Sequence, residues 1–147
     1  MIVIDQISKY GIKQVTNDII LCNGMLVLKK VVNTGLAFSI NQESNKINIL
    51  MTLVVFIIIA NFIKNQSKYL DTKTEIALSL VIAGGISNLL DRILNGGVID
   101  FIAITSFPIF NIADIIIVIG WFLVIASTIR KMSEFPKDKI KNINRND

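Results

Sequence analysis

Three long apolar runs govern what this chain can fold into. Residues 47–63 (INILMTLVVFIIIANFI) carry no charge, and residues 76–94 (IALSLVIAGGISNLLDRIL) stay apolar until Asn88, Asp91 and Arg92 at the far end. Residues 112–129 (IADIIIVIGWFLVIASTI) hold one charge, Asp114, in the first turn. About 20 predominantly apolar residues cross the hydrocarbon core of a bilayer, with about 17 as the lower limit, and each run is long enough. The runs therefore predict an integral membrane protein built as an all-α transmembrane helix bundle. Composition agrees: 52% hydrophobic, 18% charged and a mean hydropathy of +0.63 exclude a disordered chain and are unusual for a soluble one. The length of 147 residues predicts one membrane-embedded domain over 1–147, with a basic cytoplasmic tail over 131–147.

The flanks orient the spans. Lys64, Lys68 and Lys73 separate the first two runs, and Arg130, Lys131, Lys137, Lys139, Lys141 and Arg145 follow the third. With three spans these regions share one side, which the positive-inside rule makes cytoplasmic. The connection 95–111 has no Lys or Arg and belongs outside, with the segment before residue 47, although Lys9, Lys13, Lys29, Lys30 and Lys46 weaken the asymmetry there. Within that segment Met25–Val32 (MLVLKKVV) reads as a strand of a small extracytoplasmic sheet. The four residues before Asp5 are too few for a signal peptide or a spanning helix as written. No repeat or low-complexity linker is evident.

The net charge of +4 would suit nucleic acid, but the basic residues form no aromatic-interleaved patch, which argues against that partner. One cysteine, Cys22, excludes an internal disulfide, and the lack of histidine excludes a His-based triad, a haem histidine and a mixed Cys/His zinc site. Chemistry is left to carboxylates, Lys, Ser/Thr or that one thiol, which has no histidine to activate it.

Two polar clusters sit at the outer ends of the spans. In GGISNLLDR, Gly84, Gly85, Asn88, Asp91 and Arg92 recur at i, i+3 and i+4 and share one helix face, which reads either as a functional lining or as a packing face ending in a snorkelling Asp–Arg pair. In VIDF and FNIAD, Asp100 and Asp114 lie 14 positions apart on the same side of the membrane. A connection that folds back would join the two carboxylates into a pair able to share a proton, activate water and protonate a carbonyl oxygen. The competing reading makes Asn111 an N-cap with Asp114 stabilising the helix start, and Asp100 an ordinary loop carboxylate. Asp5 and Lys9 are spaced for an i, i+4 salt bridge, Asn33 and Gly35 for a turn beside Phe38, and Trp121 for packing in mid-span.

Taken in order, DQISK (5–9), NTGLAFS (33–39), GGISNLLDR (84–92), VIDF (98–101) and FNIAD (110–114) resemble the signature blocks of the bacterial lipoprotein signal peptidase (signal peptidase II) family, over residues 5 to about 130. The resemblance implies an inner-membrane aspartic endopeptidase. It would remove the signal peptide of diacylglyceryl-modified prolipoproteins just before the lipidated cysteine, with its active site at the extracytoplasmic face of a multi-pass protein. By that resemblance Asp100 and Asp114 are the catalytic dyad, and Asn33, Asn88, Arg92 and Asn111 line the substrate site. Asp5, Lys9 and Asp91 are supporting residues, Gly35, Ala37 and Phe38 belong to an extracytoplasmic flap, and Gly85 serves close helix packing. The implied partners are the prolipoprotein and membrane lipid, with no metal or organic cofactor, no nucleic acid and a monomeric state. The family fold implied is a four-helix bundle with a small β-element, of which the first helix is largely missing before Asp5. Two other classes compete: a small transporter or proton-relay subunit, which would spread ionisable groups through the membrane depth, and an inactive truncated homologue acting as a membrane interaction protein.

Overall fold

The computed structural model describes residues 1–35, 45–66 and 70–133. Ala37 and Phe38 of the expected flap, and the tail from residue 134 onward, lie outside the described residues. Helices α1 (Ile2–Lys13), α2 (Asn45–Gln66), α3 (Thr72–Asn95) and α4 (Ile112–Ser133) accompany strands β1 (Ile19–Leu21), β2 (Leu26–Asn33) and β3 (Val98–Ile104). Three of the helices, α2, α3 and α4, are long and apolar enough to cross a membrane. They match the three runs read from the sequence, each extended by a few residues at its ends. Residues 131–133, expected to begin the tail, instead complete α4.

Helix α3 is the central element, packed against α4, α2 and α1. Glycines let these helices approach. A Cβ on Gly84 would lie 2.6 Å from Ile117 Cγ1 and 2.7 Å from the Ala113 carbonyl oxygen, and one on Gly120 would lie 2.7 Å from Val81 Cγ2 and 2.8 Å from the Ala77 oxygen. The α3–α4 seam is thus notched from both sides, as expected where small residues replace a hydrophobic driving force. Gly85 turns to α2, where a Cβ would meet Phe56 Cε1 at 2.7 Å.

Helix α1 has its polarity reversed relative to a helix on a soluble core. Val3, Ile4, Ile7 and Tyr10, at i, i+1, i+4 and i+7, are exposed, while Asp5 and Lys9 are buried with Ile12. Charges inside and alkyl groups outside are the arrangement of a helix surrounded by hydrocarbon. Trp121, expected to pack within the bundle, is instead 42% exposed on α4.

The β-element is a three-stranded antiparallel sheet in the order β1-β2-β3. Only β2 was legible beforehand, and it runs one residue later than Met25–Val32. Cys22, in the turn joining β1 to β2, is exposed. Val31 pairs with Asp100 and Asn33 with Val98, while the register shift between Leu28 and Val31 marks a bulge at the two lysines. Asn33 and Asp100 are therefore diagonal neighbours on one face of the sheet. Beyond β3 the chain turns back, and Phe110 joins the edge of β3 through hydrogen bonds exchanged with Ile102 (2.8 and 3.1 Å). The expected fold-back of the 95–111 connection is thus made by a strand and a turn, and it delivers Asn111 beside Asp100.

Gly97 marks the tightest approach between the α3–β3 turn and the sheet, since a Cβ there would lie 2.8 Å from the Asn33 oxygen and 3.0 Å from Val32 Cγ1. Backbone oxygen cannot move aside as a ring edge can. Gly97→Ala should therefore displace the end of β2, lower stability by about 1–3 kcal/mol and reduce activity, whereas Gly85→Ala, which meets the movable edge of Phe56, should cost less. Thermal unfolding of the two variants in one detergent checks the order.

Candidate active site

The side chains of Asp100 and Asp114 are joined through two asparagines. Asn111 Nδ2 donates to Asp100 Oδ1 (2.7 Å) and to Asn88 Oδ1 (3.1 Å), and Asn88 Nδ2 donates to Asp114 Oδ1 (2.8 Å). Asn33 Nδ2 donates to the remaining Asp100 oxygen, Oδ2, at 2.9 Å. Asp100 sits on β3 with 3% of its surface exposed, so the loop-carboxylate reading fails. The capping reading holds alongside the paired one: Asn111 Oδ1 accepts from the Asp114 N–H (2.9 Å), and Asp114 Oδ2 accepts from the Asn111 N–H (3.1 Å). That reciprocal cap fixes the first turn of α4 and aims the Asp114 carboxylate, while the spare donors of Asn111 reach Asp100.

Behind this pair lies a buried charge cluster. Lys9 Nζ is 2.6 Å from Asp5 Oδ2 and 2.7 Å from Asp91 Oδ2, and it donates to Asn88 Oδ1 at 2.9 Å. All three ammonium protons are thereby used, in a side chain only 1% exposed. The Asn88 amide can face only one way, because its oxygen meets Lys9 and Asn111 and its nitrogen must then meet Asp114. Asp5 Oδ1 accepts from the Ala113 N–H (2.9 Å) at the start of α4, and Asp91 Oδ2 accepts from the Ile99 N–H (3.1 Å) at the start of β3. The cluster thus pins the two elements that carry Asp114 and Asp100. Asp91 pairs with Lys9 rather than with Arg92 as the snorkelling reading held. Arg92 instead reaches the backbone oxygens of Gly35 (3.4 Å) and Asn88 (3.5 Å).

Two residues of this cluster gave no sequence signal. Ser87 donates to Asp5 Oδ2 (2.7 Å), and Gln6 Nε2 donates to the Ser87 hydroxyl (3.0 Å) and to Asp91 Oδ1 (3.2 Å). Gln6 adjoins Asp5 and Ser87 adjoins Asn88, and that adjacency to residues already singled out was the available hint.

A cavity of about 660 Å³ opens over the pair, lined by Asn33, Asn88, Asp100 and Asp114 and by apolar groups including Val31, Val98, Phe107, Phe110, Ile117 and Val118. Arg92 and Asn111, expected in the lining, stay out of it; Asn111 is fully buried and acts on the carboxylates from within. Gly35 is buried at the start of the expected flap, where its N–H donates to Asn33 Oδ1 (3.0 Å). Burial pushes the Asp100 carboxyl up to about 6; the Asp114 charge adds to the rise, and hydrogen bonds from Asn33 and Asn111 oppose it. Two acids kept in one half-apolar cavity by neutral amide donors can share a proton at near-neutral pH, the requirement for acid–base hydrolysis without a metal. No cluster of metal-ligating side chains occurs among the described residues.

Residues 1–130 match the model of the family described as signal peptidase (SPase) II. This chain belongs to the signal peptidase II family. Relatives named lipoprotein signal peptidase include one from Dehalococcoides mccartyi, 39% identical over 124 residues (81% of this chain, 78% of the relative). Another, from Caldicellulosiruptor bescii, is 34% identical over 123 residues (82% and 80%), and one from Staphylococcus aureus is 29% identical over 148 residues (96% and 90%). Two solved structures, each titled as a bacterial membrane enzyme determined by the in meso method, have the same fold. The first gives a TM-score of 0.83 at 29% identity, covering 92% of this chain and 87% of the other, and the second gives 0.75 at 30% identity, covering 86% of each. A signal peptidase II is thus seen here as a multi-pass membrane protein, with its paired carboxylates at the sheet end of the bundle.

Proposed function

We propose that this chain is an aspartic endopeptidase of the bacterial cell membrane that cleaves the signal peptide from diacylglyceryl-modified prolipoproteins, just before the lipidated cysteine. The observation that carries this is the convergence of Asp100 and Asp114 on one cavity whose remaining walls are largely apolar. The buried ionisable side chains among the described residues, Asp5, Lys9, Asp91, Arg92 and Asp100, gather at one end of the bundle, which disfavours an ion pathway, and two intact carboxylates disfavour an inactive homologue. The basic flanks of the spans support a dyad at the extracytoplasmic face. There a lipid-anchored cysteine and a membrane-spanning signal helix would hold the scissile bond at the depth of the aspartates.

In this mechanism Asp114 is the ionised partner, because it sits in the first turn of α4, where the helix dipole and the Asn111 N–H favour negative charge. It takes a proton from a water molecule as the water oxygen attacks the scissile carbonyl carbon. Asp100 gives its proton to the carbonyl oxygen. The resulting diol collapses when Asp114 passes its proton to the leaving amide nitrogen and Asp100 recovers one from a diol hydroxyl. Asn33, Asn88 and Asn111 hold both carboxyls in place throughout.

The direct test is cleavage of a diacylglyceryl-modified precursor by purified protein in liposomes, beside the unmodified precursor. Cleavage of the modified form alone is expected; equal cleavage of both, or of neither, overturns the reading. The pH profile offers a second test. With Asp100 protonated in the active form and its carboxyl near 6, log(kcat/KM) should bend near pH 6 and fall with unit slope above it. Because the Asn33 hydrogen bond favours the charged form of Asp100, Asn33→Leu should move that bend to higher pH by about one unit. A bend that stays in place or moves down contradicts the assignment of the proton to Asp100.

A further inference from the structure

Helix α2 shows most of its surface to the surroundings of the bundle, and among its described side chains only Asn48 and Ile59 are buried. A wholly buried amide in the first turns of a spanning helix calls for a partner. Asn48 Nδ2 donates to the Thr34 carbonyl oxygen at 2.7 Å, while Asn48 Oδ1 has no hydrogen-bond partner among the described residues. The side chain is therefore used as a donor. The peptide it reaches faces the dyad: the same Thr34–Gly35 unit gives its N–H to Asn33 Oδ1 (3.0 Å), and Asn33 Nδ2 donates to Asp100 Oδ2 (2.9 Å). We propose that Asn48 is a positioning residue for Asp100, holding the Thr34–Gly35 peptide, which in turn fixes the Asn33 amide against the carboxyl.

Each link of this relay runs in one sense. Only the nitrogen of the Asn48 amide can donate to a carbonyl oxygen, and only an oxygen can accept from the Gly35 N–H, so Asn33 turns Oδ1 there and Nδ2 toward Asp100. Bonds in such a chain polarise one another, so donation to the Thr34 oxygen makes the Gly35 N–H a better donor. Strand β2 ends at Asn33, which leaves this peptide beyond the sheet ladder, where side chains from two helices reach the backbone. Arg92 meets the next oxygen, that of Gly35, at 3.4 Å, a longer and weaker contact than the one from Asn48. The charged groups that face Asp100 are Asp114 from α4, Lys9 from α1 and Arg92 from α3, and the Asn48 amide is bonded to none of them. Its effect on Asp100 therefore passes through Asn33. A role in cleavage rests on the peptidase reading, whereas the hold on Asp100 does not.

The test is titration of the Asp100 carboxyl by NMR in the full aspartate-labelled chain in detergent, the resonance being assigned by its loss in Asp100→Asn. The log(kcat/KM) profile on the modified precursor is read beside it. Asn48→Leu should raise the Asp100 titration by about half a pH unit, in the direction expected for Asn33→Leu and by less, because Asn33 is loosened rather than removed. The bend in the profile should move with it. Asn48→Ala, which adds no bulk, should act alike if leucine does not fit. In an Asn33→Leu background Asn48→Leu should add nothing. Asn45→Ala is the control: the Asn45 amide, one turn earlier on α2, donates to the Arg92 backbone oxygen (2.8 Å), so its loss loosens α2 from α3 without touching Thr34 and should leave the titration in place. An unmoved titration in both Asn48 variants, an equal shift in Asn45→Ala, or additive shifts in the double variant each overturns the relay. Because the titration is read without substrate, the expected shift with no cleavage by any form would uphold the relay and count against the peptidase reading alone.

Discussion

Asp114→Asn and Asp100→Asn will each lose prolipoprotein cleavage by about a thousandfold or more while the protein remains folded. Each carboxyl accepts a hydrogen bond on both oxygens, Asp100 from Asn33 and Asn111, and Asp114 from Asn88 and the Asn111 backbone. An asparagine keeps one of these acceptors and turns an NH₂ toward the other donor, at a cost of about 1–3 kcal/mol. Removing a buried negative charge offsets that cost, most clearly at Asp100, whose carboxyl is already pushed toward its neutral form. The sign of the linkage is definite: an acid raised from 3.8 to about 6 on folding loses stability as pH climbs through that window. Thermal unfolding at pH 8 should therefore be little changed, or raised, in Asp100→Asn while turnover disappears. Turnover within tenfold of the unsubstituted chain would remove the residue from the mechanism.

Lys9→Met will unfold the protein or destabilise it by about 3–5 kcal/mol, the usual consequence of leaving buried charges without their partner. Methionine reproduces the side chain as far as Cε, so most of the packing is kept and the main loss is the ammonium. Asp5 and Asp91 would then face each other's field without the ammonium between them, and the Asn88 amide would lose the contact that sets its orientation. Adding Asp91→Asn to Lys9→Met should recover a substantial part of the loss, and the double-mutant cycle on unfolding midpoints measures the coupling. Lys9→Arg should not substitute, because a planar fork cannot direct three donors to three acceptors around one compact point. Additive single effects would show that the three groups do not act as a unit.

The spanning helices could be read from residues 47–63, 76–94 and 112–129 because hydrocarbon imposes its requirement locally, on each stretch of chain. The Asn111–Asp114 cap was equally legible, being a relation over three positions. Strand β3 was not. VIDFIAI interrupts its apolar run only at Asp100, so period-two alternation is absent, and its partner β2 lies some 70 residues upstream with a bulge in the register. The links of Asp5 to Ser87 and of Lys9 to Asn88 depend on how α1 lies against α3, which no local pattern encodes. For the same reason Asp91 beside Arg92 suggested a neighbouring ion pair, when the true partner comes from another helix.

The reversed polarity of α1 also imposes a schedule on biogenesis. The partners of its buried face stand far downstream, 79 residues on for the Lys9–Asn88 bond, 82 for Asp5–Ser87 and 108 for Asp5–Ala113. At ribosomal rates of about 5–20 residues per second, the segment waits roughly 4–16 seconds before α3 exists to receive it. During that interval a lysine and an aspartate cannot enter hydrocarbon alone, and four alkyl and aromatic side chains cannot rest in water without a chaperone or translocon surface. Helix α1 therefore docks only after α3 and the start of α4 have been made, and the catalytic end of the molecule closes with them.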